Sequence, residues 1–322
     1  MGVNLKDIVP SQGVEFEDLE GKTYAVDALN SIYQFLASIR QHDGTPLMDS
    51  KGEVTSHLSG LLYRTLNLLK LGIWPVYVFD GKPSDLKHQT LKARGERKKQ
   101  ARQQWMKAKK EGRVDDALKY AKRTSKLTDE MIVESKQLLT SMGVPVVQTP
   151  SEGEAQCAKM LADGNVWAVG SQDYDTLLFG GRRLVRGLTL SAKLELNIVE
   201  LERVLGDLKI TREQLIDLAI LVGTDFNEGV KGIGPKKALK AVREGVVGDI
   251  DVDFDFDAVR EVFLNPQVSE DYRIDFGGVD GEGLRKLLCD VHEFSEERVD
   301  KAVKEVEGAY KARSQKTLEC WF

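Results

Sequence analysis

Short apolar runs rich in Val, Ile and Tyr alternate along the first half of this chain with segments whose apolar residues recur at helical spacing. Strands are predicted at 23–29, 74–80, 144–148 and 166–170, and helices at 30–40, 54–72, 130–142 and 151–163. This alternation is typical of parallel strands joined by crossover helices. We therefore predict an α/β fold in which helices flank a mostly parallel central sheet, with a mainly helical region after residue 200.

A basic segment at 82–126 interrupts this alternation. It contains 16 Lys and Arg but five Asp and Glu, whereas the rest of the 322-residue chain holds 30 basic and 46 acidic residues. Its apolar residues are too few for a core element, so we interpret it as a helical insertion projecting from the end of a strand. Positive charge concentrated on an acidic body predicts a local contact with a polyanion, and the alternative is a solvated helical face.

The cysteines and histidines give no pattern of a zinc site or of a disulfide framework. Cys157, Cys289 and Cys320 lie far apart and outside any CxxC pair, and the four histidines show neither H-x-H nor HExxH spacing. There is also no apolar run near 18 residues and no charged-then-apolar leader. We therefore expect a cytoplasmic protein with neither a secretion signal nor a membrane partner.

Acidic side chains follow several of the predicted apolar elements. Two of them end strands, two lie in the first turn of a predicted helix, two follow the run VWAVG, and one follows an apolar helix. Each alone has an ordinary explanation, as a helix cap or as a first-turn acid. Together, carboxylates without His or Cys favour Mg²⁺ or Mn²⁺, and a pair of such ions suits phosphodiester hydrolysis. The seven candidate metal ligands are Asp27, Asp80, Glu152, Glu154, Asp173, Asp175 and Asp225.

The segment GVKGIGPKKA at 229–238 predicts a contact with a nucleic-acid backbone. Its glycines let the backbone approach a phosphate, and Pro235 suits the first position of a helix whose N-terminus offers free N–H groups. With helices on both sides, the pattern indicates a helix-hairpin-helix, which grips duplex DNA without base contacts. The alternative is a simple tight turn between helices. The candidate DNA-binding residues are Lys231, Gly232, Gly234, Lys236 and Lys237.

The chain ends in QKTLECWF at 315–322. Gln315, Leu318, Trp321 and Phe322 are spaced for one helical turn with an apolar face. An exposed Trp-Phe pair predicts a binding partner, and the alternative is packing against the protein's own body.

These segments resemble the archaeal and eukaryotic flap endonucleases, over essentially the whole length of the chain. The matching stretches, in order, are VDALNSIYQFL, RQHDGTPLMDSKGEVTSHLSGL, VYVFDGKP, PSEGEAQ, SQDYDTLLFG, LVGTDFNEGVKGIGPKKA and QKTLECWF. The resemblance implies a PIN/5′-nuclease-like fold with one nuclease domain at 1–306 and a tail at 307–322. Within the domain it implies an N-terminal region at 1–98, a helical arch at 82–126, an internal region at 116–258 and the helix-hairpin-helix at 212–243.

The resemblance also implies roles for individual residues. Two Mg²⁺ ions per chain, replaceable by Mn²⁺, are expected on the seven acids. Lys87 and Arg94 are expected to steady the scissile phosphate, Tyr33 to stack on the flap nucleotide, and Gly2 to lie near the site once Met1 is removed. The arch encloses the 5′ single strand, the hairpin holds a monovalent cation, and the peptide at 315–322 binds the sliding clamp, proliferating cell nuclear antigen.

The activity implied by the resemblance is a structure-specific 5′ flap endonuclease with 5′→3′ exonuclease activity. Its expected tasks are Okazaki-fragment maturation and base excision repair on flap or nicked DNA, as a monomer. The chain stops at the clamp peptide, without the further basic tail of the eukaryotic relatives, which favours an archaeal, cytoplasmic and nucleoid-associated protein.

Two other functions accommodate part of the pattern. The stretch from Asp173 to Thr176 satisfies the D-x-D-x-T pattern of aspartyl-phosphate phosphatases, in which Asp173 would be a covalent nucleophile. That pattern normally opens the first strand of such a fold, and it leaves Asp27, Asp80 and the basic segment without a role. A non-catalytic DNA scaffold bound to the clamp explains the basic segment, the hairpin and the tail but gives the carboxylates no purpose.

Overall fold

The computed structural model describes residues 2–84, 86–188 and 195–319, without the side chains of residues 88, 89, 91, 93, 94 and 316–319. The described strands are β1 (Gln12–Val14), β2 (Thr23–Asp27), β3 (Trp74–Phe79), β4 (Val146–Gln148), β5 (Ala168–Gly170), β6 (Arg183–Arg186) and β7 (Leu196–Glu200). The described α-helices are α1 (Ala28–Ser38), α2 (Ser56–Lys70), α3 (Lys87–Lys110), α4 (Val114–Ala121), α5 (Asp129–Ser141), α6 (Gly153–Ala162), α7 (Asp175–Leu178), α8 (Leu201–Leu208), α9 (Arg212–Val222), α10 (Pro235–Glu244), α11 (Phe256–Leu264), α12 (Gly281–Arg285) and α13 (Glu296–Glu319).

The strands form one sheet in the order β1-β7-β6-β5-β2-β3-β4. The five strands from β6 to β4 run parallel, whereas β7 is antiparallel to both β6 and β1. From β2 the chain first adds β3 and β4 on one side and later β5 and β6 on the other. Such a change of direction leaves a crevice beyond the carboxyl ends of the strands, and this crevice is the usual ligand site of parallel sheets.

The elements predicted from periodicity are present, with ends displaced by at most two residues. The strand predicted at 23–29 is β2 at Thr23–Asp27, and the helix predicted at 54–72 is α2 at Ser56–Lys70. The strands β1, β7 and β6, which form one side of the sheet, were not predicted. They are short, and β1 is largely exposed, so no continuous apolar run marks them.

Both faces of the central strands are buried, which explains their uninterrupted apolar sequences. Tyr24 and Val26 of β2 pack with Tyr77 and Phe79 of β3 in a layer that also contains side chains of α1, α2, α5 and α13. Ala25 lies on the opposite face, in a cluster with side chains of α6. Successive residues of a strand point to opposite faces, so one strand contributes to both layers.

The basic segment contains α3 and α4, which pack against each other. Small side chains are buried in both helices: Ala101, Ala108, Ala117 and Ala121. The outer end of α3 rests on the turn at Asp43, because the Trp105 indole N–H donates to the Asp43 carbonyl at 3.2 Å and the Lys109 ammonium lies 2.8 Å from the Asp43 carboxylate. The insertion is therefore helical, as predicted, and anchored at its far end.

Beyond Leu201 the described chain is mainly helical, as the sequence predicted. Helices α8 to α11 enclose a second apolar cluster, in which the Phe263 ring lies 5.0 Å from Phe179 and 5.3 Å from Phe226 between centroids. Among the described residues no helix combines the length and the apolar character needed to cross a lipid bilayer.

Candidate metal centre and its surroundings

Two of the predicted acids lie side by side at the carboxyl ends of neighbouring parallel strands. Asp27 is the last residue of β2, and its carboxylate also accepts a hydrogen bond from the Asn30 backbone N–H at 2.9 Å, which caps α1. Asp80 directly follows β3, and its carboxylate accepts a hydrogen bond from the Gly153 N–H at 2.7 Å. A cap and a candidate ligand are thus not alternatives at Asp27, because the Asn30 N–H bonds to Oδ1 and the carboxylate has a second oxygen.

The other five acids approach the same crevice from different elements. Glu152 and Glu154 lie at the start of α6, which packs across β2 and β3. Asp173 and Asp175 follow β5, the other neighbour of β2, and Asp175 begins α7. Asp225 lies in the turn after α9. The structure therefore brings all seven predicted acids to one edge of the sheet.

Burial and mutual repulsion raise the pKa values of five acids of the cluster. Burial raises the pKa of Asp27 to about 8, and repulsion from Asp80 and Asp173 contributes in the same direction. Burial also raises the pKa of Asp175 to about 7, with repulsion from Asp225 and Asp173. Burial is again the largest cause of the raised pKa at Asp80, Glu152 and Glu154. Several carboxylates thus share a space too small for all of them to be ionised without a counter-charge.

The donor chemistry of this acid cluster fits a hard divalent cation. It offers carboxylate oxygens without His or Cys, the set that Mg²⁺ and Mn²⁺ prefer. Among the described residues, however, no three His, Cys, Asp or Glu side chains are already placed to hold one ion. Like charges spread apart when nothing neutralises them, so we expect binding of a cation to draw the carboxylates together.

Lys87 places a positive charge inside the acid cluster. It is the first residue of α3, and its ammonium forms an ion pair with Glu152. Burial lowers the pKa of Lys87, but Glu152 and then Asp225 and Asp80 more than compensate, so its pKa is raised. Lys87 therefore stays protonated. The side chain of Arg94, its predicted partner, lies outside the described residues.

Thr90 joins the base of α3 to the acid cluster. Its hydroxyl lies 2.6 Å from the backbone carbonyl oxygen of Asp225 and 2.9 Å from that of Lys87, and the side chain is buried. The Lys87 ammonium also lies 5.2 Å from the ring centroid of Phe226. The insertion is therefore docked at its base on the turn that carries one of the candidate ligands.

Two further predicted residues lie on segments next to the acid cluster. Tyr33 on α1 is 38% exposed, and the Lys98 ammonium of α3 lies 4.8 Å from its ring centroid, so the ring faces the insertion. At the N-terminus, the Val3 N–H donates to the Asp175 carboxylate at 2.7 Å. A Cβ on Gly2 would lie 2.5 Å from the same carboxylate oxygen, so a larger residue there would displace the Asp175 carboxylate.

The predicted helix-hairpin-helix is formed by α9 and α10. Gly234 is the N-cap of α10, Pro235 is its first residue, and Gly232 has φ of +83°, a conformation that favours glycine. The Lys237 ammonium donates to the Gly232 carbonyl at 2.9 Å, which closes the turn. Lys231, Lys236 and Lys237 are exposed beside the first turn of α10.

The predicted clamp peptide is described only at its start. Gln315 lies exposed within α13, while the Leu318 side chain, Trp321 and Phe322 lie outside the described residues. Just before the peptide, the Arg313 guanidinium lies 4.2 Å from the ring centroid of Trp74 and 4.4 Å from that of Phe276. The last described turns of α13 are thereby held against the body.

Arg186 is a contributor that the sequence did not indicate. Its guanidinium donates to the Tyr174 hydroxyl at 2.6 Å and to the Gln172 carbonyl at 3.1 Å, and it lies 4.4 Å from the Tyr174 ring centroid. Tyr174 separates Asp173 from Asp175, so Arg186 braces the loop that presents both acids. Arg186 is the last residue of β6, so a prediction of that strand could have indicated this role.

The fold and the acid-lined crevice are those of an XPG-type nuclease. The XPG N-terminal domain matches residues 1–101, and the XPG I-region matches residues 143–225. The two matches contain all seven acids of the cluster.

Comparison with individual proteins gives a narrower assignment. Flap endonuclease 1 of Pyrococcus horikoshii is 51% identical over 338 aligned positions, which cover 100% of this chain and 98% of the relative. The solved structure of flap endonuclease-1 from Methanococcus jannaschii is 45% identical, covers 97% of this chain and 100% of its own, and superposes with a TM-score of 0.82. The catalytic core of Rad2 in complex with DNA substrate is 27% identical, covering 95% and 100%, with a TM-score of 0.74.

The chain belongs to the flap endonuclease 1 family. The predicted fold class, family and nuclease function are thereby confirmed, and the phosphatase and scaffold alternatives are set aside.

The raised carboxylate pKa values predict an unusual pH dependence of stability. Without divalent ions the folded state holds protons on Asp27 and Asp175 that the unfolded state releases near pH 4. The free energy of unfolding should therefore fall as pH rises from about 4 to about 8. We expect the Tm in EDTA to decrease over the upper part of this range, and Mg²⁺ to raise it more at pH 8 than at pH 5.5, since the ion competes with protons.

Differential scanning fluorimetry with and without Mg²⁺ measures both effects. The variant Asp27→Asn, which keeps the shape of the side chain but cannot ionise, should flatten the slope of the Tm in EDTA. An Mg²⁺-induced rise of equal size at both pH values would contradict the assignment of a proton-competing cation site.

Proposed function

We propose that this flap endonuclease hydrolyses a phosphodiester bond at the junction between single-stranded and duplex DNA, and leaves a 5′-phosphate and a 3′-hydroxyl. The observation that carries the proposal is the cluster of seven buried and partly buried acids with the Lys87 ammonium among them, at the base of a basic helical insertion. A carboxylate cluster repels DNA phosphates unless cations neutralise it. The acid cluster lies under the most basic part of the chain. This position is compatible with DNA binding only if cations bind to the acids.

The seven acids would hold two Mg²⁺ ions, with Mn²⁺ as a substitute. When bound, the ions supply charge neutralisation at the scissile phosphate and lower the pKa of an attacking water. Lys87 and Arg94 add positive charge where negative charge develops on the phosphate. The Val3 N–H and the Gly153 N–H keep Asp175 and Asp80 oriented during this process.

The path of the DNA follows from the surrounding elements. The first turn of α10 presents backbone N–H groups and exposed lysines to the duplex phosphates, and the glycine turn before it is suited to a monovalent cation. The single 5′ strand passes between the crevice and the helices α3 and α4. Tyr33 stacks on a flap nucleotide, an interaction that tolerates any base.

The tail extends the proposal to a protein partner. The residues Gln315, Leu318, Trp321 and Phe322 bind the sliding clamp and tether a monomeric nuclease to replicating DNA. Flap removal during Okazaki-fragment maturation and base excision repair, with 5′→3′ exonuclease activity, are the tasks that suit this arrangement. The relatives from Pyrococcus horikoshii and Methanococcus jannaschii support an archaeal protein that works in the cytoplasm at the nucleoid.

A comparison of three DNA substrates tests the function directly. Oligonucleotides are assembled into a 5′ flap, a matching 3′ flap and a plain duplex, and each is incubated with the enzyme in Mg²⁺ or in EDTA. We expect cutting of the 5′ flap alone, at or beside the junction, and only in Mg²⁺. Cutting that is independent of the flap's polarity would contradict the proposed substrate, and cutting in EDTA would contradict the metal centre.

The helix-hairpin-helix gives a further prediction about binding. Replacing Lys236 and Lys237 together with alanine should lower the slope of log affinity against log salt concentration by the amount expected for about two phosphate contacts. It should also weaken duplex binding roughly tenfold at moderate salt. The effect should be the same for unrelated sequences, because no bases are read. Fluorescence anisotropy over a salt series measures both quantities.

The double variant Lys301→Ala, Lys304→Ala is the matched control, because it removes the same charge from exposed positions on α13. An equal loss of affinity in both double variants would show that net charge, rather than the hairpin, is responsible.

A further inference from the structure

Asn30 contacts two acids of the cluster that come from different strands. It lies in the first turn of α1, three residues after Asp27, and its backbone N–H donates to the Asp27 carboxylate at 2.9 Å. Its side-chain amide nitrogen donates to the Asp173 carboxylate at 2.6 Å, across 143 residues of sequence. Asn30 therefore links the end of β2 to the loop that follows β5.

The orientation of the Asn30 amide is set by its surroundings. The amide nitrogen of Asn30 faces the Asp173 Oδ2 and donates to it. The oxygen on the other side accepts a hydrogen bond from the Gln34 amide, one turn further along α1. Gln34 thus keeps the donor of Asn30 directed into the crevice.

The two contacts of Asn30 differ in what they require of the residue. The hydrogen bond to Asp27 comes from the backbone, so any residue other than proline at position 30 supplies it. The hydrogen bond to Asp173 needs a side-chain donor of this length. Helix capping therefore explains the first contact but gives no reason for an asparagine.

A neutral donor has a specific use among repelling carboxylates. It occupies one lone pair of the Asp173 Oδ2 and leaves the remaining lone pairs of the carboxyl group available to a cation. Hydrogen bonds of this kind to a ligating carboxylate typically change metal affinity or activity by 10- to 100-fold. A lysine at this place would instead compete with the cation for the carboxylate.

We propose that Asn30 is a positioning residue of the metal centre, which holds Asp173 in register with Asp27 so that a divalent cation meets both carboxylates at once. This inference rests on the proposed function, because it takes the acid cluster to be the site of the metal ions.

The variant Asn30→Leu tests the inference, because leucine matches asparagine in shape but has no donor. We expect its Mg²⁺ concentration for half-maximal flap cleavage to rise by about 10- to 100-fold, with cleavage largely restored at saturating Mg²⁺. Without DNA, the rise in Tm that Mg²⁺ produces should need a correspondingly higher concentration. A residue that only supports the fold would lower the Tm in EDTA and the cleavage rate without shifting either metal titration.

Two further variants make the result decisive. Asn265→Leu is the matched control, since the Asn265 amide also donates to a carboxylate, that of Glu261 at 2.5 Å, but at the end of α11; its Mg²⁺ titrations should stay unchanged. Gln34→Leu removes the contact that orients the amide but leaves Asn30 in place, so it should shift the titrations in the same direction by a smaller factor. If Asn30→Leu does not fold, the Mg²⁺ titrations of Gln34→Leu test the role of Asn30 instead.

The outcomes separate this inference from the proposed function. Wild-type titrations in both Asn30→Leu and Gln34→Leu would overturn the role of Asn30 while leaving the metal centre intact. A wild-type protein that shows neither Mg²⁺-dependent cleavage nor an Mg²⁺-induced rise in Tm would overturn the metal centre and the inference together.

Discussion

The variant Asp80→Ala is expected to bind flap DNA and to cut it at least about 10³-fold more slowly than the wild type. Asp80 lies at the end of β3, electrostatically coupled to Asp225 and Lys87, so its loss removes a carboxylate from the middle of the acid cluster. Binding should be as tight as in the wild type or tighter, because one negative charge that repels the phosphates is gone. Single-turnover cleavage in saturating Mg²⁺ and anisotropy in EDTA measure the two effects separately.

The control for this experiment is Asp251→Ala, which removes an exposed acid from the segment before α11. Its cleavage rate should equal that of the wild type. Near-normal turnover of Asp80→Ala would exclude Asp80 from the metal centre. A loss of both cleavage and binding, with a lowered Tm, would instead indicate that its hydrogen bond from Gly153 is needed for folding.

The acid cluster could be predicted from the sequence because its members lie at the ends of elements that periodicity identifies. Asp27 and Asp80 follow the two most apolar strands, and neighbouring parallel strands end at the same edge of a sheet. The pairing of these strands itself was not predicted, but any mostly parallel arrangement brings their ends together. The position of each acid at the end of its element was therefore sufficient to predict the cluster, and the strand order was not needed.

The contacts that organise the cluster could not be predicted in this way. The hydrogen bond from Asn30 to Asp173 spans 143 residues, and that from Thr90 to Asp225 spans 135. Each depends on how helices and loops pack, and nothing in the local sequence around Asn30 or Thr90 indicates it. The strands β1, β6 and β7 were missed for a related reason, since the residues of β1 acquire their extended structure by pairing with β7, far away in the chain.

Two histidines make tertiary contacts that could not be predicted from the sequence. Their spacing in the sequence shows neither an H-x-H nor an HExxH pattern. In the structure, His57 and His292 are buried and both contact the carboxylate of Glu134, at 3.2 Å and 3.0 Å, while His292 also contacts Asp49 at 3.1 Å. These contacts connect α2 and α5 with the segment before α13. They are a property of the tertiary fold that no sequence spacing encodes.

Replacing Lys87 with methionine should lower single-turnover cleavage by about 10²- to 10³-fold and should also make Mg²⁺ bind at a lower concentration. The first effect follows if the ammonium stabilises charge on the phosphate in the transition state. The second follows from the ion pair of Lys87 with Glu152, because a resident cation competes with the metal for the same carboxylates. The shift in the metal titration is thus opposite in sign to that expected for Asn30→Leu.

The lysine at position 136 provides the matched control. Its ammonium lies 5.1 Å from the ring centroid of Phe79, as that of Lys87 lies 5.2 Å from the ring centroid of Phe226, but it contacts Gln148 instead of an acid. Lys136→Met should change neither the cleavage rate nor the Mg²⁺ titration. If Lys87→Met were slow but required more Mg²⁺ than the wild type, Lys87 would be supporting the arrangement of the carboxylates. If Lys87→Met is slow but needs less Mg²⁺ than the wild type, Lys87 acts on the phosphate and is not required to arrange the carboxylates that hold the ions.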